Sequence, residues 1–175
     1  IHQWDLCPSM IIDESDGEIS SLQRALDLGY RGTSHKNCKG VFKGIANACK
    51  IQLNRQTKDG EWIMSGEDLA NVGPVALLND LTVMSSLGVS HVERNGHHYF
   101  SGLSMYDKDL QKKICFAHPD LYSFGQLDFP SLIIKNGLIS LDSLTKSAFG
   151  CGLELDEENI KKFGDSGMVP ENWKS

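Results

Sequence analysis

Nothing in this sequence approaches the roughly 20 consecutive apolar residues that a membrane-spanning helix needs. Its apolar runs are short, Val83 to Met84 and Leu132 to Ile134 being typical. No basic run is present either, and the net charge is −6. A mildly acidic chain without a cationic stripe cannot replace the counterions of a nucleic acid, so neither a membrane nor a nucleic acid is an expected partner. The five cysteines (Cys7, Cys38, Cys49, Cys115, Cys151) are odd in number, widely spaced and without a C-x-x-C pair. That argues against a disulfide framework or a zinc site, and for free, mostly buried thiols in a reducing, cytoplasmic setting. Low-complexity segments are missing, as is a signal-peptide pattern at Ile1. With no Met at the start and Trp4 and Cys7 following at once, the chain reads as an interior segment or a truncated chain.

What remains is a globular composition, 40% hydrophobic and 23% charged, long enough at 175 residues for a real core. Four short apolar segments predict buried strands over residues 9–14, 30–35, 62–65 and 89–93. Helical periodicity separates them. Residues 20–28 carry Leu22, Ala25, Leu26 and Leu28, with Ser20 or Ser21 to cap the start and Gly29 to end it. Residues 41–51 carry Val41, Ile45, Ala48 and Cys49. Residues 75–87 carry Leu77, Leu78, Leu81 and Met84, after Pro74 and before Gly88. Strands alternating with helices through short connections must be parallel, because only a crossover joins parallel neighbours. The style changes near Gly102. A helix is predicted over 108–116, and Asn136-Gly137 between two apolar runs is a strong hairpin signal. A short polar helix ending at Phe163 precedes a loose end.

In parallel α/β folds the carboxyl ends of strands deliver side chains to one rim, so chemistry is sought there. The first strand ends in Asp13-Glu14-Ser15. By alternation one carboxylate faces the axis and the other the helix layer, and an axial carboxylate suits Mg²⁺. The second ends in His35-Lys36-Asn37-Cys38-Lys39. His35 and Lys36 then face opposite ways, and a divalent cation near Lys36 would favour its neutral, basic form. The third ends in Ser65-Gly66-Glu67-Asp68, where either acid can orient a base or hold a substrate hydroxyl. The fourth ends in His91-Val92-Glu93, followed by His97-His98. Glu93 can partner a base or, protonated, bind an oxyanion. The adjacent histidines diverge too much to share one metal.

Taken together, Asp13-Glu14-Ser15, His35-Lys36-Asn37-Cys38-Lys39, Met64-Ser65-Gly66-Glu67-Asp68 and His91-Val92-Glu93 resemble the C-terminal half of the mandelate racemase and muconate-lactonising branch of the enolase superfamily. The run from Pro130 to Leu141 and the Gly150-Cys-Gly-Leu-Glu-Leu-Asp156 ending resemble that branch's hairpin and tail. The resemblance implies the C-terminal half of a modified (β/α)8 TIM barrel. Residues 1–102 would form the last four β/α units, and residues 103–175 a helix, β-hairpin and tail packing on a capping domain. It implies a Mg²⁺-dependent lyase, dehydratase, racemase or cycloisomerase that removes the proton alpha to a carboxylate, an acid sugar being one such substrate. Asp13 would be the third metal ligand and Lys36 the acid/base group. Glu67 or Asp68 would lie at the seventh strand, where some members have His. Glu93 would sit near the substrate carboxylate, with His35 and His98 as substrate contacts. The family's other metal ligands and its Lys-x-Lys strand fall before Ile1, so this chain is expected to be inactive alone, to bind Mg²⁺ weakly, and to self-associate or pair with a missing N-terminal half. A different reading is a small doubly wound α/β binding or regulatory domain. Strand order separates the two, because only the doubly wound sheet has a switch point.

Overall fold

The computed structural model describes residues 1, 4, 6–67, 71, 73–93, 101–147 and 150–154. Mixed α/β architecture is built on a small parallel sheet of β1 (Gly32–His35), β2 (Ile63–Glu67) and β3 (Val92–Glu93), in spatial order β1-β2-β3. No closed barrel forms among the described residues. Gly32 pairs with Ile63 and His35 with Gly66, while Glu67 pairs with Glu93. The segment expected to be the first strand contributes only a bridge. Ile12 lies parallel to Thr33, its N–H donating to the Gly32 carbonyl at 3.0 Å and its carbonyl accepting from Ser34 at 2.9 Å. It flanks β1 on the side away from β2, so neighbours in sequence are neighbours in space.

Helices α1 (Ser21–Asp27), α2 (Val41–Thr57) and α3 (Val75–Ser86) alternate with the strands. Their ends follow local chemistry. After α1, Gly29 takes φ +94°, its N–H donates to Leu26 O, and Tyr30 N–H donates to Ala25 O. After α3, Gly88 takes φ +68°, with the same pair of bonds from Gly88 to Ser85 and from Val89 to Met84. Both are Schellman stops, which need a left-handed residue and so favour glycine. The start of α1 differs from expectation: Ser20 makes no side-chain cap bond, and Ser21 Oγ instead accepts from Glu18 N–H at 3.0 Å. Helix α4 (Lys108–Ala117) is capped as a helix should be, Asp107 accepting from Leu110 N–H at 2.8 Å.

The apolar stripe predicted for α2 is not the buried one. Gly44, Asn47, Ile51 and Asn54 face inward, while Val41, Ile45 and Cys49 are exposed. The helix is rotated because the layer beneath it holds a buried carboxylate, Asp16, which Asn47 must reach. The cysteines are free, but Cys38 and Cys49 are exposed and the other three half-buried, so the expectation of buried thiols is not met.

Two apolar clusters hold the fold. Leu22, Ile51, Trp62 and Met64 join α1 and α2 to the sheet. Leu77, Leu78, Leu81, Leu103, Leu110 and Ile114 join α3 to α4 and to an antiparallel pair, β4 (Tyr122–Ser123) and β5 (Ser131–Leu132). The β4–β5 pairing has no counterpart in the sequence reading. The Asn136-Gly137 turn does: both residues have positive φ, 53° and 75°, and Lys135 and Leu138 exchange two 2.9 Å backbone bonds. No helix among the described residues is long and apolar enough to cross a membrane. The polar helix expected before Phe163, and the end of the tail motif from Leu155 on, lie outside the described residues.

Candidate functional site

Strand alternation sorts the sheet into two faces. Met64 belongs to the helix-side core, and a Cβ on Gly66 would meet Met84 of α3 at 2.7 Å. Residues 64 and 66 therefore face the helices, and Ser65 and Glu67 face the other way. By register, Ser34 and Lys36 share the Glu67 face, as does Glu93, and Thr33 and His35 share the helix face.

At the carboxyl end of the non-helical face an ammonium sits among three carboxylates. Lys36 Nζ lies 3.1 Å from Asp13 Oδ1, 2.9 Å from Glu14 Oε1 and 2.9 Å from Glu67 Oε2. Ser34 Oγ donates to the other Glu67 oxygen at 3.2 Å. Lys39 closes the cluster from behind: its Nζ donates to Asp13 Oδ1 at 2.6 Å, to the Asp13 carbonyl at 2.8 Å and to the Ser34 carbonyl at 3.3 Å. Asn37–Lys39 is a 3₁₀ turn, and its i to i+3 spacing brings Lys36 and Lys39 to the same side. Asp13 and Glu14 do not divide between two faces as alternation suggested. The strand has already ended there, and both reach Lys36.

The electrostatics follow from this packing. Burial works against the charge on Lys36, whose side chain is only 5% exposed, but bonds to Glu67, Glu14 and Asp13 outweigh it and raise its pKa. Burial would raise Asp13, yet Lys39 and Lys36 hold it well below the usual carboxylate range. The sequence led to a lysine whose proton is loosened by a neighbouring dication. The folded surroundings, with carboxylates on three sides, tighten it instead.

On the helix face a second layer supports the first. Asp16 is 2% exposed and accepts from Thr33 Oγ1 at 2.9 Å and Asn47 Nδ2 at 3.0 Å, with Lys43 Nζ 3.2 Å from its other oxygen. His35 packs there too, bonded to Asn37 at 3.0 Å and pressed against Gly44. Burial, then the nearby Lys39 and Lys43, lower its pKa against the opposing pull of Asn37 and Asp16. His35 is thus turned away from Lys36 and not brought to the rim as a substrate contact. Glu93 is exposed. It and Glu67 line one shallow cavity of about 430 Å³, with Ser65, His91 and the hairpin-tip Gly137. Asp68 and His98 lie outside the described residues. Sequence reasoning missed Ser34, Glu14 and Lys39 as members of the cluster. The Lys36-x-x-Lys39 spacing was the available signal for the last of these.

Magnesium prefers hard oxygen donors, and Asp13, Glu14 and Glu67 supply them. Both Asp13 oxygens, however, already serve ammonium groups, and the described residues contain no group of three or more metal-ligating side chains free to hold an ion. As folded, these residues do not fit a magnesium ion.

A further histidine–serine contact is structural. His118 is fully buried, its Nε2 accepts from Gly152 N–H at 3.2 Å, and Nδ1 must therefore donate to Ser143 Oγ at 2.9 Å. An imidazole in that tautomer cannot take a proton from Ser143. Comparison with protein-family models, with curated proteins and with solved structures finds no match to this chain.

Proposed function

We propose that the chain carries the acid–base side of an enolase-type site in an arc of a (β/α)8 barrel, with Lys36 moving the proton next to a substrate carboxylate. The observation that carries this reading is the convergence on Lys36, within 3.2 Å, of carboxylates from the ends of two separate strand segments. Sequential strand order without a switch point supports the barrel over a doubly wound sheet. In the resting arrangement Lys36 carries its proton, so it is set as the acid. To act as the base it must first pass that proton to water or to a neighbouring carboxylate, a transfer that losing carboxylate partners to an incoming substrate group favours. Glu67 then orients it, and Glu93, across the shared cavity, faces the substrate. The same proposal has further β/α units completing the ring, from a second copy or another polypeptide, and a cytoplasmic site of action. On this reading the chain alone turns over nothing.

The test is α-proton exchange in D₂O, followed by proton NMR with a panel of 2-hydroxy and sugar acids, using the chain in whatever assembly sedimentation shows. Exchange that Lys36→Ala abolishes supports the proposal, and exchange that persists in that variant refutes the role of Lys36. An assembled ring that binds acids without exchanging them favours the second reading, a binding domain. One observation speaks for that alternative: all three donors of Lys36 are already engaged, as in a structural ion cluster.

A further inference from the structure

We infer that Lys39 is the resident cation of this rim: it takes the coordination that a divalent metal would need on Asp13, so that Asp13 acts as a positioning residue for Lys36 and not as a metal ligand. This deepens the proton-transfer reading but rests on geometry that stands without it.

Three oxygens surround the Lys39 ammonium: the Asp13 carboxylate, the Asp13 carbonyl and the Ser34 carbonyl, at 2.6, 2.8 and 3.3 Å. An ammonium has three donors and no acceptor, so this set uses its hydrogen-bonding capacity fully. Its side chain is 12% exposed. The cage is made of one carboxylate and two carbonyls from two neighbouring segments, the kind of donor set that holds hard cations elsewhere. Here the cation is covalently part of the chain and arrives through the 3₁₀ turn Asn37–Lys39.

Two consequences follow. First, Asp13 is fixed: Lys39 Nζ holds Oδ1 at 2.6 Å, and Lys36 Nζ lies across both oxygens, 3.1 Å from Oδ1 and 3.2 Å from Oδ2. Lys39 therefore aims the carboxylate at Lys36. Second, a dication approaching Asp13 would meet two ammonium groups within hydrogen-bond reach of the same carboxylate. Like-charge repulsion at that range is strong in surroundings of intermediate polarity. The ion must expel Lys39 or stay in water.

The experiment titrates Mn²⁺ into the purified chain and reads free Mn²⁺ by electron paramagnetic resonance. The unmodified chain and Lys39→Arg are expected to leave the free-ion signal unchanged at millimolar Mn²⁺. Lys39→Met keeps the aliphatic stem and removes the charge, so it is expected to bind at least about tenfold more tightly, and Asp13→Asn added to it should abolish the gain. Micromolar binding by the unmodified chain that Asp13→Asn removes would overturn the inference, as would a folded Lys39→Met that binds no better. Circular dichroism checks folding. Should Lys39→Met fail to fold, the ¹⁵N–¹H signal of the Lys39 ammonium in the unmodified chain decides, assigned by its loss in Lys39→Arg. A protected signal unshifted by millimolar Mg²⁺ supports a resident cation, and one displaced by Mg²⁺ or never protected refutes it. None of these readouts depends on proton exchange with a substrate, so failure here and failure of the proposed reaction are distinguishable.

Discussion

Replacing Lys36 with methionine tests whether the ion cluster is coupled to folding. The substitution keeps most of the stem and removes the ammonium that three carboxylates share. Removing one partner of a buried ion pair commonly costs about 3–5 kcal/mol, because the remaining charge stays desolvated. The surroundings place the effect at the low end. Glu14 is 82% exposed and is rehydrated at little cost, and Lys39 still neutralises Asp13. Glu67, 15% exposed, bears most of the loss. About 3 kcal/mol is expected, a fall of about 1.5 M in the urea midpoint for a slope of about 2 kcal/mol per molar. The pH dependence has a fixed sign. Asp13 titrates lower folded than unfolded, so its contribution is present above the ordinary value of 3.8 and is lost as pH falls below it. Lys36 titrates higher folded than unfolded, so its contribution is complete below 10.5 and is lost as pH rises beyond it. The gap between the native chain and Lys36→Met should be level between those limits and narrow outside them. Urea titrations at pH 7 and pH 3.5 measure it. A variant as stable as the native chain at pH 7, or a gap that widens in acid, would refute the coupling.

Gly44→Ala places a Cβ 2.5 Å from the buried His35 ring, so ring or helix must shift. A loss of about 1–3 kcal/mol in chemical denaturation is expected from such overpacking. His118→Phe leaves Ser143 Oγ and Gly152 N–H without their partner and should cost about 2 kcal/mol, read the same way. Burial lowers the pKa of His118 against the pull of Asp120, so its contribution holds above 6.5 and is lost as pH falls below that value. The protection factor of Gly152 N–H, corrected for the intrinsic pH dependence of exchange, should fall on acidification in the native chain but show no such step in His118→Phe. Gly137→Val forces a β-branched residue to φ 75° and should cost about 1–2 kcal/mol, seen as faster exchange at Leu138 N–H.

The elements most legible in the sequence are those whose cause is local. Gly29 and Gly88 end helices because the stop needs a left-handed residue, and Asn136-Gly137 turns because both positions need one. No distant partner has to be known in either case. Sequence reading failed on α2, where periodicity selected Val41, Ile45 and Cys49 and the fold buries Gly44, Asn47 and Asn54. A hydrophobic pattern has no means of valuing a glycine that makes room for a ring or an asparagine that satisfies a buried carboxylate. The β4–β5 pair escaped for a related reason: each strand is two residues long, too short to carry any period.

The candidate site divides along the same line. Alternation alone put Lys36 and His35 on opposite faces, because a period of two is a property of extended backbone. The protonation of Lys36 could not be read that way. Its sign depends on how many carboxylates reach one nitrogen, and Glu14 and Glu67, 22 positions before it and 31 after, are joined only by the fold. A rim rich in acids and bases on paper can thus be a poised catalytic site or a neutralised cluster. The placement of one further lysine, Lys39, decides what Asp13 is free to do.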